Sequence, residues 1–106
     1  MNDKNRLERE LQDELIFCAE QVKKKIHYRP TRFSQMLANH GAAETAKKLI
    51  HSTKVATGFW ELISAGYPEL TVEYTVLKPK YRSLFTDEEL QICRRKLQDF
   101  GVKDIP

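Results

Sequence analysis

The side chains that could do chemistry in this sequence are few, and their spacing argues against catalysis. The three histidines, His27, His40 and His51, match neither His-x-x-x-His nor His-Glu-x-x-His, the spacings that set two imidazoles on one helix face around a zinc ion. Asp87, Glu88 and Glu89 are clustered, as the carboxylates of a magnesium-dependent nuclease would be. They follow Thr86, however, and Thr-x-x-Glu at a helix start is a capping box, which accounts for them structurally. Gly41, Gly58, Gly66 and Gly101 are isolated from one another, so no glycine-rich loop can cradle a phosphate. Cys18 and Cys93 form no Cys-x-x-Cys pair and are expected as small buried hydrophobes. With no nucleophile beside a base, the expectation is a protein without catalytic residues, metal or cofactor.

Two other sets of residues could bind rather than react. The stretch TGFWELISAG, residues 57–66, carries the single tryptophan. Trp and Tyr dominate interface energetics, so Phe59, Trp60 and Tyr67 are the candidate contacts for a protein partner. The second set is cationic. The net charge is +3, concentrated in residues 26–60, where Arg29, Arg32, Lys47, Lys48 and Lys54 face Glu44 alone. These five are the candidate contacts for nucleic-acid phosphates. A Lys47→Glu, Lys48→Glu pair is expected to abolish such binding without changing the melting temperature.

The elements that must position these residues read as helices. Leu7, Leu11, Leu15, Cys18, Val22 and Ile26 recur every three or four positions over residues 4–26, and Ile16 and Phe17 widen that stripe toward a second neighbour. Lys23, Lys24 and Lys25 fall in its last turn, where cations complement the helix dipole. Pro30 breaks this helix. Two short helices follow, RFSQMLANH and AAETAKKLIHS, meeting at Gly41 in a tight corner. The second is expected to bury Ala43, Ala46, Leu49 and Ile50. Its first residues, Ala42-Ala43-Glu44-Thr45, offer little to base edges, so the corner reads as packing rather than a DNA-recognition motif. His40 and His51 are expected to meet carbonyls at their helix ends.

FWELISA is a two-turn helix, with Phe59, Leu62 and Ile63 toward the core and Gly58 and Gly66 supplying backbone freedom at its ends. TVEYTVL, residues 71–77, alternates like a strand but has no partner strand to bond with, so a helix capped by Thr71 is expected. The last helix runs from the capping box to Phe100, with Phe85 and Leu90 as a hydrophobic staple, and Gly101 ends it.

These elements make an all-α, compact single-domain bundle of about six helices across residues 1–106, long at both ends and short between. No apolar run is long enough to cross a bilayer and the first residues are charged, so a cytoplasmic protein is expected.

A wider pattern runs through the chain: Tyr28-x-Pro30-Thr31-x-Phe33, His40-Gly41, Gly58-Phe59-x-x-Leu62, Leu70-Thr71-Val72-Glu73 and Leu84-Phe85-Thr86-x-Glu88-Glu89. It resembles a widespread small bacterial helical module found alone or beside restriction and phage-defence genes. The resemblance covers residues of about 28 to 101 and implies an accessory role in defence or mobile-element systems. It transfers no catalytic residue. The leucine–tryptophan pair usual after Gly-Phe is replaced here by Trp60-Glu61-Leu62. The function expected is a non-catalytic accessory module that binds a protein partner, the alternative being an accessory that touches nucleic-acid phosphates through the basic middle segment.

Overall fold

The computed structural model describes residues 3–52 and 57–106. Among them are six α-helices: α1 (Asp3–Ile26), α2 (Thr31–His40), α3 (Ala42–Ile50), α4 (Thr57–Ala65), α5 (Val72–Val76) and α6 (Asp87–Asp99). Short 3-10 turns at Pro68–Leu70 and Pro79–Leu84 link the last three, and the described residues contain no strand. The all-α bundle expected from the periodicity is the fold observed.

α1 is the spine. Its buried face is Leu11, Leu15, Cys18, Ala19 and Val22, and α3, α4 and both 3-10 turns pack along it. Ile16 and Phe17 do not extend that face inward. They are 42% and 55% exposed, because positions 16 and 17 lie about 100° per residue around from the Leu15 and Cys18 line and no second element covers them.

The chain leaves α1 through His27, whose φ of 55° is left-handed, a conformation that histidine visits more readily than β-branched residues do. Tyr28 then lies against Gly58: a Cβ built on that glycine would sit 3.4 Å from the Tyr28 ring. Gly58 is the second residue of α4 and is not in the left-handed region, so its value is local thinness rather than backbone freedom. Gly66, at φ 87°, does supply that freedom at the helix exit.

Gly41, at φ 81°, turns the chain between α2 and α3, its N–H donating to the Leu37 carbonyl and its own carbonyl accepting from Thr45 N–H. The buried face of α3 is Ala42, Thr45, Ala46 and Ile50. It is rotated from the expected one because Thr45 packs inward with the aliphatic residues. Its hydroxyl has no hydrogen-bond partner among the described residues.

Residues 71–77 form a short helix. Thr71 is its N-cap, with Oγ1 accepting from Tyr74 N–H at 3.1 Å. The next cap is the expected capping box at the start of α6, with Phe85 and Leu90 both buried beside it. α5 and α6 pack closely against each other, and both meet α3. Among the described residues no helix is long and apolar enough to cross a membrane.

Candidate functional site

Eight polar side chains, Glu14, Lys47, His51, Glu73, Lys78, Tyr81, Glu89 and Lys96, are tied up in three clasps between packed elements. The first is built on Glu89, the third residue of α6. Thr86 N–H donates to Glu89 Oε1 at 3.0 Å, and Glu89 N–H donates to Thr86 Oγ1 at 3.1 Å. The same carboxylate then receives two side chains, one from α3 and one from the residue that caps its end. Lys47 Nζ donates to Oε1 at 3.2 Å, and His51 Nε2 lies 2.8 Å from Oε2. Glu89 is only 5% exposed. Burial alone would raise its pKa, but the Thr86 N–H, His51 and Lys47 outweigh that and bring it down from 4.5 to about 2. Lys47 also stands 5.6 Å over the Phe85 ring.

In the second clasp Lys96 Nζ donates to the Leu49 carbonyl near the end of α3, at 3.0 Å, and pairs with Glu73 Oε2 at 3.4 Å. The cation that caps α3 therefore comes from α6, while His51 turns to Glu89 rather than to a helix-end carbonyl. Burial raises the Glu73 pKa, with Lys96 pulling the other way. The third clasp ties α1 to the second 3-10 turn: Glu14 accepts from Tyr81 Oη at 2.7 Å and from Lys78 Nζ. Tyr81 is fully buried. Its burial and its bond to Glu14 both push its pKa up.

Neither thiol is activated. Cys18 and Cys93 are unpaired and buried, and burial pushes Cys93 up to about 12. A thiol held protonated at neutral pH is a poor nucleophile. Among the described residues no three His, Cys, Asp or Glu side chains converge to hold a metal ion.

The aromatic residues are arranged differently. Phe59 is buried, and its ring meets that of Phe100 edge-on, centroids 5.2 Å apart at 90°. Phe100, half-buried at the end of α6, in turn meets Trp60 at 6.0 Å and 66°. Trp60 itself is 54% exposed. The three rings form a ladder from core to surface, in the edge-to-face geometry that aromatic quadrupoles favour. Phe59 is thus a packing residue, and Trp60 is the one presented. Tyr67 is half-buried, with Lys25 Nζ 5.3 Å over its ring.

The five candidate phosphate contacts part company. Lys47 is bonded to Glu89. Arg29, Arg32 and Lys48 are exposed, and none of the ion pairs among the described residues involves them. Lys54 lies outside the described residues. Reversing Lys47 and Lys48 together, expected to be structurally silent, would set a carboxylate against Glu89.

Comparison with protein-family models, curated proteins and solved structures finds no match for this chain. What the arrangement can do must therefore be read from its own geometry. Two residues that matter were missed by sequence reasoning. Phe100 closes the apolar stripe of α6, so it registers as core, and nothing marks it as the support of an indole. Glu89 registers as a cap, and its reach across to α3 has no local signature.

Proposed function

We propose that this chain is a non-catalytic interaction module that binds a protein partner through Trp60. The observation that supports the reading is the ladder Phe59–Phe100–Trp60, which leaves a large indole half exposed with a second ring braced behind it. A tryptophan of this kind loses little freedom on binding, because a neighbouring ring already restrains it, and it brings much area to bury. Such anchors carry about 2 kcal/mol or more of binding energy in protein interfaces.

The module resembles bacterial accessory proteins through its Tyr28-to-Glu89 pattern, so a component of a restriction or phage-defence system is the class of partner to test first. A nucleic-acid reading keeps Arg29, Arg32 and Lys48 as exposed cations, but it loses Lys47 to the Glu89 clasp.

The test is site-specific photo-crosslinking in the source cells. A photoreactive phenylalanine analogue at position 60 should give one discrete protein adduct, and the same analogue at the exposed position Ser64 should give none. Equal labelling from both positions, or none from position 60, would contradict the reading.

A further inference from the structure

A second feature lies at the corner between α1 and α2, where a concavity of about 600 Å³ is lined by Lys23, His27, Arg29, Pro30 and Thr31. His27, with its left-handed backbone, is one of the lining residues. The chain turns there, and a lysine one turn before the end of α1 and an arginine just before α2 line a shared space. Two permanent cations and an imidazole line it, with a threonine hydroxyl, and no carboxylate does. None of the ion pairs among the described residues engages Lys23 or Arg29. Lys47, Lys78 and Lys96, by comparison, each find a carboxylate. Tyr28, between the two lining residues His27 and Arg29, is held against Gly58, which fixes the segment to α4.

We infer that this corner binds a compact phosphate-bearing anion, with Lys23 and Arg29 supplying charge and His27 and Thr31 supplying further donors. Arg presents a planar fork of N–H groups suited to phosphate oxygens, and Lys adds a point charge. The half-open concavity, with a cation from each side of the corner, suits a terminal phosphate or pyrophosphate group reached from solvent. A duplex backbone would need a long basic stripe, and the net charge of the chain is only +3. Lys23 thus acquires a role beyond complementing the dipole of α1.

The probes are inorganic phosphate, inorganic pyrophosphate and a DNA duplex, each titrated into the full chain and followed by amide chemical-shift mapping and calorimetry. Pyrophosphate should give saturable shifts confined to residues 23–32 and should bind more tightly than phosphate. Lys23→Gln with Arg29→Gln should weaken it about tenfold or more, whereas Lys48→Gln should leave it unchanged. The mapping on the unaltered chain stands even where the double variant folds poorly. Absence of saturation, or shifts spread equally to Lys48 and Arg95, would overturn the inference. So would a duplex that binds the same residues more tightly than pyrophosphate, which would return the corner to a nucleic-acid surface.

Discussion

His51 Nε2 lies 2.8 Å from Glu89 Oε2, joining the end of α3 to the first turn of α6. With Lys47 on the other oxygen at 3.2 Å, one buried carboxylate caps its own helix and clamps a second. The two roles meet at Oε1, which accepts from both Thr86 N–H and Lys47 Nζ, while Oε2 faces His51.

Replacing Lys47 by glutamate sets a carboxylate against the buried Glu89 and should destabilise the fold by about 1–3 kcal/mol. The same change at exposed Lys48 should fall within about 0.5 kcal/mol of no effect. Urea unfolding of the two single variants distinguishes them. Equal stabilities would mean that the Glu89 clasp is not formed in solution.

Glu89 also sets an acid limit. Its pKa in the folded chain lies below the ordinary value of 4.5, at about 2, so its contribution to stability is fully present above 4.5 and is lost as pH falls toward 2. Glu89→Gln should be less stable at neutral pH and should show a shallower fall in stability across that window. Parallel curves for the two proteins, measured by urea midpoint against pH, would contradict the assignment.

The glycines of the α4 region should respond in opposite senses. Gly58 has ordinary helical space beside the Tyr28 ring, so Gly58→Ala should be neutral or stabilise by up to about 1 kcal/mol through helix propensity. Gly66 sits at φ 87°, where an L side chain is strained, so Gly66→Ala should cost about 1 kcal/mol or more. Thermal melts read both. A Gly58→Ala loss as large as that at Gly66 would mean that Tyr28 packs more tightly on α4 than described.

Much of the architecture was legible in the residues. The 3.6-residue stripe of α1, the punctuation at Pro30, Gly41 and Gly101, and the Thr86-x-x-Glu89 signal are local, and they specify helices wherever the chain is read. The choice of helix over strand for residues 71–77 rested on the want of a partner strand, and Thr71 does cap it. What escaped was relational. Ile16 and Phe17 look like core because hydrophobicity alone does not say whether a neighbour arrives to cover them. Thr45 looks polar because its methyl and its hydroxyl have opposite preferences and packing decided between them. Lys47 looks like a surface cation because its partner is 42 positions away. The candidate site suffered in the same way: the sequence points to Trp60, but the Phe100 that steadies it comes from another helix.

The most direct measurement of the central claim is the fluorescence of Trp60, which is the only tryptophan in the chain. The folded protein should emit to the red and be quenched by acrylamide nearly as well as the unfolded chain. Phe100→Ala should make the indole more mobile without burying it, seen as a lower anisotropy. A blue-shifted emission shielded from acrylamide would place Trp60 in the core and contradict the account.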